Sequence, residues 1–205
     1  MLKRVILFLV LILVAVTVYW VVFKPKKNKV EGEQEKPLVQ TQNSDAFTAS
    51  FTKLMTSYYS LKDAFVEWDT AKVNKQAADL KILADSLPLG QMKADTSIIM
   101  TASDYTKTIS GEAVGIIGET DIAQKRRSFY TLSDALYTLV MTVKYDQEVV
   151  YHQHCPMAFD EEQEAFWLSN SNKVVNPYLG DKHPKYKAGM LHCGDVTDSL
   201  DFRKK

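Results

Sequence analysis

Residues 44–70 read SDAFTASFTKLMTSYYSLKDAFVEWDT. Phe47, Phe51, Leu54, Met55, Tyr58, Leu61, Phe65 and Trp68 recur at intervals of three and four. That spacing lays one apolar stripe along a helix of about six turns. Ser44 or Asp45 can cap its start, and Asp69-Thr70 offers a break followed by a new N-cap. Met55 has no histidine or cysteine near it in sequence, so the stripe reads as core rather than as a cofactor box.

The same period continues downstream. Val73, Ala77, Leu80, Leu83, Ala84 and Leu87 form a second stripe, stopped by Pro88 and Gly90. Ile98, Ala102, Tyr105 and Ile109 begin a third. It is weaker, because Gly111, Gly115 and Gly118 each cost about 1 kcal/mol against alanine inside a helix. Asp121 can cap a fourth, with Ile122, Phe129, Leu132, Leu136, Leu139 and Val140 on one face. Arg126-Arg127 reads as part of a solvated helix face, with an anion site as the alternative. Four amphipathic segments with short connections predict a mainly α fold, an antiparallel four-helix bundle.

Upstream the texture is different. Val5 to Phe23 is an uncharged, almost wholly apolar run that spans about 28 Å as a helix, close to the hydrocarbon thickness of a bilayer. It ends in bulky Tyr19, Trp20 and Phe23 rather than in a small-residue cleavage site, which favours an uncleaved membrane anchor over a removed signal. No cysteine follows that could carry a lipid. Lysines lie on both sides of the run, so charge alone orients it weakly. Residues 24–43 are polar, contain two prolines and read as a tether.

From about Gln147 the helical period stops. Val149, Val150 and Tyr151 favour extended chain, and prolines and glycines punctuate the rest. Residues 147–198 read as mostly loop, with a short strand or two and one helical turn around Glu162–Leu168. The organisation is therefore an anchor or uncleaved signal over 1–23, a linker over 24–43, one helical domain over 44–198 and a tail over 199–205. Within the domain, 44–146 is the bundle and 147–198 the loop-rich segment.

Every thiol and imidazole of the chain falls in that last segment. The two cysteines are Cys155 and Cys193; the four histidines are His152, His154, His183 and His192. They make two half-sites, His152-Gln153-His154-Cys155-Pro156-Met157 and Met190-Leu191-His192-Cys193-Gly194. Thiolate and thioether are soft ligands that favour Cu(I), while imidazole suits copper and zinc. Zinc prefers Cys and His without methionine, so it is the weaker candidate. The competing reading is a Cys155–Cys193 disulfide, which would staple the tail with about 3–4 kcal/mol in the chain-entropy account. His183, in Asp181-Lys182-His183-Pro184, reads as a surface turn residue.

Several function classes are excluded or weak. Lysine plus arginine and aspartate plus glutamate number 25 each, so the net charge is zero and no basic excess points to nucleic acid. No internal repeat, glycine-rich phosphate loop, Gly-x-Ser-x-Gly or His-Glu-x-x-His occurs. His154 beside Cys155 does not by itself make a general base, so the chain is not read as an enzyme.

Four ordered blocks carry a resemblance: Gln153-x-Cys155-Pro156-Met157-Ala158, Trp167-Leu168-Ser169, Asn176-Pro177-Tyr178-x-Gly180 and Met190-Leu191-x-Cys193-Gly194. Over roughly 45–198 the chain resembles the bacterial domain of unknown function 3347, and the tail of periplasmic adaptor subunits of heavy-metal efflux pumps. The resemblance implies a periplasmic domain associated with metal, with matching sulfur positions at Cys155, Met157, Met190 and Cys193. His152, His154 and His192, and the insertion from Asp181 to Ala188, depart from the pattern. The expectation is a single-pass inner-membrane protein, anchored in lipid through residues 5–23, whose periplasmic domain binds copper for buffering or for transfer to an efflux partner. The metal ligands would come from Cys155, Cys193, Met157, Met190, His154, His192 and His152. The alternative is an interaction domain held by the disulfide.

Overall fold

A computed structural model of the chain describes Leu13, Thr17, Tyr19, residues 43–159 and residues 162–203. It divides into two compact units, Met1–Pro37 and Leu38–Lys205. In the first, Leu13, Thr17 and Tyr19 are helical; the rest of the anchor expected over 1–23, and nearly all of the linker expected over 24–43, lie outside the described residues. Among the described residues no helix is long and apolar enough to cross a membrane.

The second unit is mainly helical. Helix α1 spans Asp45–Val66, and the Ser44 side chain caps it by accepting from the Phe47 N–H at 3.2 Å. Helix α2 spans Thr70–Asp85, and the Asp69 carboxylate accepts from the Lys72 N–H at 2.9 Å. Both caps satisfy first-turn donors that the helix cannot pair internally. A 3-10 turn at Leu89–Gln91 follows Pro88. Helix α3 runs unbroken over Thr96–Gly118 despite its three glycines. Gly115 has a packing reason: a Cβ there would sit 2.8 Å from Ser128 Oγ on the next helix. Helix α4 spans Ile122–Val143, starts under Asp121 and ends on Lys144, whose φ of 50° is left-handed.

The periodic stripes are the core. Phe47, Phe51, Leu54, Met55, Tyr58, Leu61 and Phe65 of α1 are all buried, as are Phe129, Leu132, Leu136, Leu139 and Val140 of α4. Burying each such side chain contributes about 1.5–3 kcal/mol. Phe129 is a junction, with ring centroids 4.8 Å from Phe65, 5.5 Å from Tyr58 and 5.9 Å from Tyr178. The last of these belongs to the C-terminal segment, so that segment shares the helical core.

The C-terminal segment holds three strands, where a short strand or two was expected among loops. Strand β1 spans Val150–Phe159, β2 Gln163–Ser169 and β3 Asp195–Leu200. They form an antiparallel sheet in the order β2-β1-β3. The stretch expected as a helical turn around Glu162–Leu168 is mostly β2. Ala165, Trp167 and Leu168 are wholly buried there, and β1 supplies ladder partners that a local reading could not see. Strand β3 also runs to Leu200, into the segment expected as tail. The sheet is fastened to the helices by Tyr58 of α1, whose hydroxyl accepts from the buried Leu168 N–H at 3.0 Å and meets Ser133 Oγ of α4 at 2.7 Å.

Candidate functional site: a buried cysteine pair

Strand β1 decides which ligands can meet. Successive side chains of a strand point to opposite faces. Gln153 and Cys155 therefore share one face, and His152 and His154 the other. Gln153 and Cys155 are wholly buried. The Gln153 amide donates to the carbonyls of Ser171 (2.9 Å) and Lys173 (3.1 Å) and accepts from the Trp167 indole at 2.7 Å. These bonds draw the chain after β2 back across this face.

Asn176 finishes that fold-back. Its buried side chain donates to the Cys193 carbonyl at 2.9 Å and accepts from the N–H groups of Tyr178 and Leu179. Its own N–H donates to the Leu191 carbonyl at 2.8 Å. One side chain thus positions the loop that carries the second cysteine. Gly194 permits the final approach: its φ is +126°, and a Cβ there would collide with the His154 carbonyl oxygen. The outcome is a contact of 3.6 Å between Cys155 Sγ and Cys193 Sγ, across 38 positions of sequence.

The two thiols differ in environment. Cys155 is buried, and burial pushes its thiol up to about 11; bonding to the Met157 backbone and Asn176 only partly opposes this. Cys193 is partly exposed. The pair has an inner and an outer member, and both sulfurs are free.

The remaining expected ligands are distributed elsewhere. His154 is held by both ring nitrogens, Nδ1 to Asp195 at 3.1 Å and Nε2 to Glu164 at 3.0 Å. His152 is stacked between Tyr137 of α4 and Phe166 of β2, with centroids at 4.1 and 4.9 Å, and burial holds its imidazole below its ordinary value. His192 is exposed and donates from Nδ1 to the Val174 carbonyl at 2.7 Å. Met157 and Met190 are half-buried and pack against the core. Among the described residues no group of three or more His, Cys, Asp or Glu side chains is gathered as a metal would require. His183 is a turn residue, as expected, accepting from the Lys185 and Tyr186 N–H groups at 3.2 Å.

The structural roles of two residues were not anticipated. Asn176 lies in the quoted Asn-Pro-Tyr block, where Asn-Pro signals a turn but not the buried amide that organises it. Arg126 corrects the expectation of a solvated helix face: it is only 4% exposed. Its Nε donates to the Pro177 carbonyl (3.1 Å) and its Nη2 to the Phe65 carbonyl (3.2 Å), with the guanidinium 3.8 Å over the Trp68 ring.

No curated protein and no solved structure matches the chain. The family match begins within α1 and ends just before β1, so the blocks from Gln153 to Gly194 lie beyond it. Over residues 54–148 the chain matches the family described as Protein of unknown function (DUF3347), the family that its sequence resembles.

Proposed function

We propose that the chain is a membrane-tethered periplasmic domain that binds a soft metal ion, Cu(I) first among them, between Cys155 and Cys193. The observation that carries this reading is the 3.6 Å approach of the only two thiols in the protein. Two sulfurs bound to one metal at about 2.3 Å each, at a tetrahedral angle, lie about 3.8 Å apart, so the pair needs little movement to clasp an ion. Thiolate donors select Cu(I) among biological metals. Cys193, partly exposed, would take the incoming ion, and Cys155 would close behind it. Met157 or Met190 would complete the set by a side-chain turn. Each thiol must lose its proton to bind, so affinity rises with pH, and the raised Cys155 thiol carries that rise to higher pH. The ion is cargo, passed by ligand exchange to an efflux or transfer partner. His154 would be accessory at most, since both its ring nitrogens are already bonded, whereas His152 and His192 each keep Nε2 open.

The tether rests on the apolar run from Val5 to Phe23 and its near match to a bilayer core. We read the four helices as an antiparallel bundle. In support, the Asn43 amide, at the head of α1, donates to the Val143 carbonyl at the foot of α4 (2.7 Å).

A second reading is favoured by the charge around the pair. Among the described residues no cation offsets the burial of Cys155, which keeps its thiol neutral. A disulfide is also neutral, and an oxidising compartment would form one. In that case the pair is a staple.

The experiment uses the full chain in mild detergent, reduced without oxygen and titrated with Cu(I) against a chromogenic chelator. One equivalent should bind, with affinity falling at least about tenfold, or 1.4 kcal/mol, in both Cys155→Ser and Cys193→Ser and holding in His154→Gln. A stable Cys155–Cys193 bond in air, with no competition for copper when reduced, would replace the metal reading with the staple.

A further inference from the structure

Arg126 poses a problem that the cysteine pair does not solve. It is a cation more than nine-tenths buried, and no described carboxylate forms an ion pair with it. An arginine carries five N–H donors. Here Nε and one N–H of Nη2 are used, by the Pro177 and Phe65 carbonyls. Those two bonds clamp the C-terminal loop to α1, which is a sufficient structural reason for an arginine at this position. The other donors make no bond to a described residue and are not sealed from solvent, so they are open to an incoming acceptor. A buried positive charge without a counter-ion is costly, and in folded proteins it is normally paired. Asp121, the cap of α4, contributes an attractive field at longer range, but its carboxylate is exposed and turned to the Ala123 N–H.

The same guanidinium lines a half-open cavity of about 260 Å³. Trp68, Phe159, Tyr178, Arg127 and His183 are among its other walls. At about 30 Å³ per water the space equals roughly nine waters. It is too small for a peptide or nucleotide and large enough for a single ring with one acidic group. Its walls combine aromatic faces with cationic groups. The Arg127 guanidinium stands 4.7 Å over the Phe159 ring, as Arg126 stands over Trp68. A planar carboxylate fits a guanidinium edge with two parallel hydrogen bonds.

We propose that this cavity is a binding site for a small carboxylate with a flat apolar body, held by the Nη1–Nη2 edge of Arg126 against Trp68 and Phe159. The site lies between the start of α4 and the Pro177–Pro184 loop. It does not use Cys155 or Cys193, so it stands or falls independently of metal binding. An occupant would fix that loop, which directly follows Asn176, the residue whose side chain holds the Cys193 carbonyl.

The test uses benzoate as the probe and benzamide as its neutral isostere, titrated into the full chain by calorimetry, with inorganic phosphate as a third arm. The expected result is saturable benzoate binding at one site, with benzamide and phosphate each at least about tenfold weaker. Arg126→Met should abolish it. Because that variant removes a loop clamp and can fail to fold, Ala123→Trp is the second probe. Ala123 is exposed on the cavity rim, and an indole there fills the space while leaving Arg126 in place. Equal binding of benzoate and benzamide, phosphate binding as tight as benzoate, no saturable benzoate binding, or unchanged benzoate affinity in a folded Ala123→Trp would each overturn the proposal.

Discussion

Gly194 shows how one residue controls the cysteine pair. Its positive φ and its contact with the His154 carbonyl leave no room for a Cβ. Gly180 is the same at the other end of the loop: φ is +60°, and a Cβ would lie 2.5 Å from the Trp68 indole nitrogen and 2.6 Å from the Val66 carbonyl oxygen. Alanine at a left-handed position costs more than the roughly 1 kcal/mol of ordinary backbone effects. Gly194→Ala should therefore lower the urea midpoint and also slow air oxidation of the two thiols, since the loop carrying Cys193 must back away from β1. Gly90→Ala, where a Cβ meets nothing within 4 Å, is the control and should do neither. Thiol counting over time and urea unfolding of the three proteins check both parts.

Among the elements, the buried bond between helices and sheet is made by one hydroxyl, beside the exposed bonds of Tyr137 to Asp198 and Arg127 to Gln163. Tyr58 OH accepts from the Leu168 N–H, and both residues are wholly buried. In Tyr58→Phe the Leu168 donor loses this partner away from water, at a cost of about 1–3 kcal/mol. Ser133 is not orphaned, because its hydroxyl also donates to the Phe129 carbonyl at 2.8 Å. Tyr145→Phe removes a hydroxyl that meets only Thr52 Oγ1, at 3.2 Å and near the surface, and should cost about 0.5 kcal/mol or less. Equal losses in the two variants, read from urea unfolding, would show that the Tyr58 bond does not hold the sheet.

For the whole molecule, the family match and the folding unit are not the same length. The match ends at 148, whereas the compact unit runs from Leu38 to Lys205. Trp167, Leu168, Tyr178 and Leu179 all enter the core shared with Phe129 and Phe65. A chain ending at Glu148 leaves that aromatic face open to water. It should keep helical far-ultraviolet dichroism while losing near-ultraviolet signal, binding a hydrophobic dye and unfolding without a sharp transition. A cooperative transition close to that of the full chain would mean that the helices fold without the sheet.

The sequence by itself determined the four helices and the caps of three of them. Their signal is local, a period of three and four bounded by Ser44, Asp69 and Asp121, and the core face could be read residue by residue. It also placed the soft ligands in one segment. Strand alternation in YHQHCPMAF, once β1 is known, is enough to part His152 and His154 from Cys155. The tertiary structure alone decided the rest. Strand β3, Asp-Val-Thr-Asp-Ser-Leu, has five of its six residues exposed, so no periodic signal announces it; its place is set by pairing with β1. The burial of Arg126 depends on a loop 51 positions away closing over it. The thiols meet because Gln153, Asn176 and Gly194 bend the chain back. Each of these is a long-range contact whose free energy appears only when distant segments come together, so no window of sequence contains it.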